Sequence, residues 1–189
     1  MKNSIKAEYL RTIRKKDSDI KDHLNTLTRY ANKCDTVTEF GTRDASGSTL
    51  GWLMSNKPIK VTGFDIQYYP KTEVIKELAE QEGKSLSVTI QSTLECTIED
   101  TDILFIDTQH IYEQLKAELD RHHTKAKKYI IMHDTETFGE TGDIPGHKGL
   151  NYAVDEFIKE NKDWYVKEVF KHNNGLTILA RRSNDTSSN

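Results

Sequence analysis

The chain has 189 residues, enough for one domain with a real core. Its 30 acidic and 27 basic residues leave a net charge of −3, without the basic excess that nucleic-acid binding usually needs. No run approaches the roughly 20 apolar residues of a membrane-spanning helix.

Residues 1–18 are polar and charge-rich and read as a loosely held helix or N-terminal arm, lacking the apolar centre of a signal peptide. From Ser18, a plausible N-cap, the residues Ile20, Leu24, Leu27, Tyr30 and Ala31 recur at helical spacing. Asp35 to Phe40 forms a first, β-branched strand. Gly41 follows at once, then a small polar loop through Ser48-Thr49 and an apolar helix start at Leu50. Such a turn lets backbone N–H groups face a ligand, but neither the nucleoside-triphosphate loop nor the dinucleotide fingerprint is present. Glu39 would repel a pyrophosphate there.

The second strand, Lys60 to Asp65, ends in an acid suited to hydrogen bonds from ribose hydroxyls. A helix from Lys71 to Gln81 stops at Glu82-Gly83, and a third strand, Leu86 to Gln91, leads to Ser92-Thr93. The central stretch then reads strand–helix–strand: Ile103 to Asp107, a helix carrying Ile111, Tyr112, Leu115 and Leu119, and Tyr129 to Asp134. Apolar runs of this kind suit parallel strands buried on both faces. Two such neighbours would present Asp107, His110, His133 and Asp134 at one C-terminal sheet edge, where open α/β sheets bind ligands. Each residue alone could be a helix cap or a surface histidine. Together they could hold a divalent cation and position a base.

The glycine-rich segment 136–149 reads as a lid or acceptor-binding loop. A helix from Leu150 to Asn161 follows. The chain then forms a hairpin, Trp164 to Phe170 and Leu176 to Ala180, turning at Asn173-Asn174-Gly175. Residues 183–189 are a polar tail. Cys34 and Cys96 have no metal-like spacing, and a reduced, cytoplasmic protein is the expectation. The predicted architecture is α/β and Rossmann-like: five parallel strands plus a C-terminal antiparallel hairpin in one seven-stranded sheet, with helices on both faces.

From about Asp19 to Arg181 this arrangement resembles the class I S-adenosylmethionine-dependent methyltransferases. Within them it is most similar to the metal-dependent sugar O-methyltransferases related to macrocin O-methyltransferase and cephalosporin-hydroxylase-like proteins. The matching pieces are Glu39-Phe40-Gly41-Thr42 with Ser48-Thr49, Asp65, Phe105-Ile106-Asp107-x-x-His110-x-Tyr112-Glu113, and His133-Asp134-Thr135. The resemblance implies a methyltransferase domain over 19–182. S-adenosylmethionine would be bound by Glu39, Gly41, Thr42, Ser48, Asp65 and Ser92. Asp107, His133 and Asp134 would hold a divalent metal, with Mg²⁺ as the expected ion, and Asp107 and His110 would be catalytic, His110 as the general base. His133 stands where many metal-dependent relatives carry Glu or Asp, and a neutral imidazole is a poor Mg²⁺ ligand. The expected partner is a small-molecule or glycan acceptor, with no nucleic acid and no membrane; a homo-oligomer is compatible with this reading. A catechol-like acceptor, a non-catalytic binding module, and a nucleotide-sugar or nicotinamide enzyme on a similar sheet are the alternatives.

Overall fold

The computed structural model describes residues 4–182; the expected polar tail at 183–189 lies outside them. Seven strands form one sheet in the order β3-β2-β1-β4-β5-β7-β6. They are β1 (Thr36–Phe40), β2 (Lys60–Asp65), β3 (Ser85–Ile90), β4 (Thr101–Ile106), β5 (Ala126–His133), β6 (Trp164–Phe170) and β7 (Leu176–Arg181). The first five run parallel, and β7 pairs antiparallel with both β5 and β6. The bounds expected for β2 and β6 are met, and the other strand ends fall within a few residues of expectation.

Alternation along the strands sends side chains to two cores. On one face Val37, Val61, Ile103, Phe105 and Ile131 meet α1 (Ile5–Ile13), α2 (Leu24–Ala31), α3 (Ser48–Leu53) and α4 (Lys71–Gln81). On the other, Phe40, Phe64, Leu104, Ile106, Ile130 and Met132 meet α5 (Tyr112–His122) and α6 (Leu150–Glu160). The β3–β4 connection contains no helix, so Cys96 and Ile98 of that loop provide local cover. Beside them Thr38, Thr62 and Ser87 line an open polar groove of about 300 Å³. Hydroxyl side chains on β1, β2 and β3 suit a face that no helix dries.

Two expectations at the N-terminus change. The segment expected as a loosely held helix or arm contains a helix, α1, capped by Ser4 Oγ on the Ala7 N–H at 3.1 Å, and it is firmly rather than loosely held. Ile5 is wholly buried and Tyr9 nearly so, because α1 covers the apolar surface left by α3 and α4. The second helix does not start at Ser18. A 3₁₀ turn, Lys21–His23, precedes α2, and the Ser18 carbonyl instead accepts a hydrogen bond from Asn173 Nδ2 at 3.0 Å.

One glycine fixes how β1 meets β4. Gly41 has φ +83°, and a Cβ there would lie 1.9 Å from the Asp107 carbonyl oxygen. That contact cannot be relieved by a side-chain rotation, since the obstacle is backbone. Gly41→Ala is therefore expected to destabilise the fold by about 3 kcal/mol or more. Urea denaturation checks this, and a midpoint equal to wild type would contradict the close approach.

Candidate functional site

The parallel register Phe40↔Ile106 and Ile106↔Met132 places the C-terminal ends of β1, β4 and β5 side by side. Asp107 and His133 are thereby adjacent, and Asp134 turns into the same space through a left-handed backbone with φ +62°. Non-glycine residues seldom take that conformation, and it commonly marks functional positions. His110 Nε2 lies 2.9 Å from Asp134 Oδ2 and 3.4 Å from Asp107 Oδ1. His133 Nδ1 lies 3.1 Å from Asp134 Oδ2 and 3.5 Å from Asp107 Oδ1, yet makes no hydrogen bond.

The four groups set one another's charge. Burial alone would favour a neutral His110, but the hydrogen bonds and charges of Asp107 and Asp134 push it up to about 10. Burial likewise opposes charge on His133, and the same two carboxylates hold it well above the usual histidine range. Asp107 and Asp134 are held below the ordinary carboxylate range by the two imidazoles, against the effect of burial. With nothing else bound the cluster is two carboxylates facing two imidazolium rings, and its charges cancel.

The donor set also fits a divalent cation. Asp107, His110 and Asp134 each offer a ligand atom within 4.8 Å of the others. Asp134 Oδ1 and His133 Nδ1 are buried and without hydrogen-bond partners, although most buried polar atoms have one. The group that converges is thus Asp107, His110 and Asp134, with the expected base in place of the expected ligand His133, whose Nδ1 lies beside it at 3.1 Å from Asp134 Oδ2 and 3.5 Å from Asp107 Oδ1. The mixture of imidazole and carboxylate suits Mn²⁺, Fe²⁺ or Zn²⁺ better than Mg²⁺, which prefers oxygen ligands.

Residues outside the expected set hold this centre in place. His110 Nδ1 lies 3.3 Å from Asp143 Oδ2, and the His110 ring stacks on Phe138 with centroids 4.8 Å apart and planes 5° from parallel. Both come from segment 136–149, so the expected lid packs directly on the candidate base. His133 donates from Nε2 to the Asn173 carbonyl at 3.2 Å, and buried His23 donates to the same carbonyl at 3.1 Å. Burial and the neighbouring His133 and His172 drive His23 down to about 4, so that ring is neutral. Asn173 read only as a turn residue, and nothing in its spacing pointed to the centre; its positive φ of 47° belongs to the tight β6–β7 turn.

A cleft of two adjoining lobes opens beside the centre. Its larger lobe, about 500 Å³, is lined by Gly41, Asp65, Ser92, Thr93, Asp107 and Gln114 among others. A second lobe of about 350 Å³ shares Gly41 and Asp107 and adds Thr42 and Ser48. Five of the six expected cofactor residues thus border one cleft. Glu39 does not. Its carboxylate is fully buried beneath the loop and accepts from Ser48 Oγ, from Thr49 Oγ1 at 2.6 Å and from Trp52 Nε1 at 3.3 Å. The strand end that read as a ligand contact ties β1 to α3. Asp65 already accepts the Arg43 N–H at 2.7 Å and the Gln67 N–H at 2.9 Å, one on each oxygen, and each oxygen keeps a lone pair for a ligand.

No family model matches the sequence, and no curated protein matches it. Solved structures do match in shape. A protein of Corynebacterium glutamicum superposes with a TM-score of 0.66 at 17% identity, covering 93% of this chain and 90% of its own. An O-methyltransferase from Bacillus cereus, solved with S-adenosylhomocysteine, gives 0.64 at 14% identity over 96% and 92%. Magnesium protoporphyrin IX methyltransferase from Synechocystis, with the same ligand bound, gives 0.56 at 17% over 96% and 95%. The shared property is the fold: the Rossmann-like methyltransferase sheet closed by an antiparallel hairpin.

Burial pushes the Glu39 carboxyl up to about 7, against the three donors that surround it. A proton held more tightly in the folded state stabilises the fold fully below the unfolded carboxyl pKa, and that stability is lost as pH rises through about 7. Thermal melts of wild type and Glu39→Gln should therefore differ most in favour of wild type near the acid end of this window. The gap should narrow towards pH ~8; a constant gap would contradict a protonated Glu39.

Proposed function

We propose that the protein is an S-adenosylmethionine-dependent O-methyltransferase that methylates a hydroxyl of a sugar, with a divalent cation at Asp107, Asp134 and His133 and with His110 as the base. The observation that carries the reading is the junction of the cleft with the charged cluster: Asp107 lines both lobes and also belongs to the cluster. A methyl donor seated along Gly41, Asp65 and Ser92 would end where His110 faces the cation site.

When bound, S-adenosylmethionine supplies an electrophilic methyl group on a sulfonium sulfur. A divalent cation would supply positive charge for an acceptor oxygen. The chain's part is alignment and proton control. The Gly41–Ser48 turn and Asp65 fix the donor, and alignment of reacting atoms can remove a large part of a barrier. Asp143 Oδ2 lies 3.3 Å from His110 Nδ1 and accepts the His110 backbone N–H, which holds the ring with Nε2 directed at the centre, where an acceptor hydroxyl would stand. His110 can take a proton only when the charge of Asp107 and Asp134 is engaged elsewhere, since those carboxylates otherwise keep it protonated. Base activity is in this way tied to occupancy of the cation site.

A sugar acceptor is favoured by the wall beside His110. Phe138 is the sole aromatic residue of segment 136–149, and its ring is already stacked on His110. Asp143 and neighbouring backbone groups of that segment suit a hydroxyl-rich ligand better than a flat catechol ring.

Calorimetry with S-adenosylhomocysteine, with and without Mg²⁺ or Mn²⁺, tests the donor site, and glycan acceptors test turnover. His110→Ala should lower turnover by roughly 10²- to 10⁴-fold while S-adenosylhomocysteine binding survives. Asp65→Ala should weaken S-adenosylhomocysteine binding first. Stabilisation by S-adenosylhomocysteine without turnover on any hydroxylated acceptor would favour a non-catalytic binding module instead.

A further inference from the structure

The far end of the 500 Å³ lobe carries a hydrogen-bond network that the methyl-transfer chemistry does not use. Glu118 of α5 is completely buried. Its carboxylate accepts from Thr93 Oγ1 at 2.6 Å, from Gln114 Nε2 at 2.8 Å and from Thr108 Oγ1 at 2.9 Å. Burial pushes this carboxyl up while the three donors oppose it. Thr93, Thr108 and Gln114 all line the cleft, and Glu118 lies behind them.

The network decides which way the Gln114 amide points. Gln114 Nε2 also donates to Thr93 Oγ1 at 3.2 Å, a hydroxyl whose own proton goes to Glu118. Both neighbours of the amide are thus acceptors, so the NH₂ group must face them. Reversal of the amide would set its carbonyl oxygen against a carboxylate and a hydroxyl oxygen with no proton to spare. Gln114 Oε1 is left as a fixed acceptor without a partner among the described residues, on a half-buried side chain at the cleft wall.

We infer that Gln114, locked by Glu118 and Thr93, determines base specificity by accepting a hydrogen bond from the exocyclic amino group of a 6-aminopurine. The inference rests on the donor site proposed above and adds the residue that distinguishes an amino from an oxo base. A 6-oxopurine would place a carbonyl oxygen against Gln114 Oε1, and a site built to pair a donor rejects an analogue lacking it. Glu118 acts only by positioning. A glutamine in its place offers an NH₂ of its own, which would let the Gln114 amide turn and present a donor to the cleft.

The test is calorimetric titration with S-adenosylhomocysteine and with S-inosylhomocysteine, which differ in the 6-amino against 6-oxo group and in N1, an acceptor in the first and an N–H in the second; Gln114→Ala isolates the part that belongs to the 6-position. Wild type should bind the adenosyl compound at least about tenfold more tightly. Gln114→Ala should weaken the adenosyl compound alone and bring the two affinities together. Glu118→Gln, if it folds, should narrow or invert the preference, a change that simple loosening of the site would not give. Discrimination in Gln114→Ala equal to wild type, or equal binding of both compounds by wild type, would overturn the inference and leave the donor site standing. Binding of neither compound by wild type would overturn both.

Discussion

Everything at the functional edge depends on the attraction between two carboxylates and two imidazoles at the ends of β4 and β5. Two carboxylates so close would repel, and two imidazolium rings would repel as strongly. Interleaved, they hold each other in the charged forms: Asp107 and Asp134 low, His110 and His133 high. The sheet supplies the spacing, because adjacent parallel strands end side by side. Gly41 supplies the room, because any side chain there would strike the Asp107 backbone. A cation at the proposed site would replace the protons as the source of positive charge, and so would couple the cation to the base.

The turn between β6 and β7 gives this cluster its back wall. The Asn173 carbonyl takes hydrogen bonds from His23 and His133, and the Asn173 side chain binds the Asp22 N–H at 2.9 Å and the Ser18 carbonyl. The Asn174 carbonyl accepts the N–H groups of Glu136 and Thr137 at 2.9 and 3.0 Å. One short turn thus joins the start of the domain, the end of β5 and the segment that carries Phe138 and Asp143. The antiparallel hairpin does more than close the sheet: its Asn173 carbonyl accepts the Nε2–H of His133 and so holds that ring with Nδ1 facing the two carboxylates.

Much of this was legible in the sequence wherever the information was local. Period-two and period-3.6 patterns bounded β2, α4 and β6 to the residue, and the apolar runs before Asp107 and Asp134 identified buried parallel strands. Adjacency of the two strands is enough to make Asp107, His110, His133 and Asp134 neighbours. What the sequence did not show depends on contacts between distant segments. Glu39 read as a ligand contact because it precedes the glycine, but Ser48, Thr49 and Trp52 close over it. His23 and Gln114 lie in stretches whose patterns carry no chemistry, and Asp143 is one polar residue among several in the segment that reads as a lid; only folding brings them to the site. The N-terminal segment looked unattached because its apolar residues are few; Ile5 and Tyr9 suffice to anchor it.

The central claim is that the carboxylate–imidazole cluster is a cation site. Electron paramagnetic resonance of Mn²⁺ titrated into the protein tests it most directly. The account predicts that wild type sequesters Mn²⁺, that the bound ion shows coupling to an imidazole nitrogen, and that Asp134→Asn leaves the metal free in solution. Mn²⁺ that remains free with wild type, or binds equally well to Asp134→Asn, would contradict it.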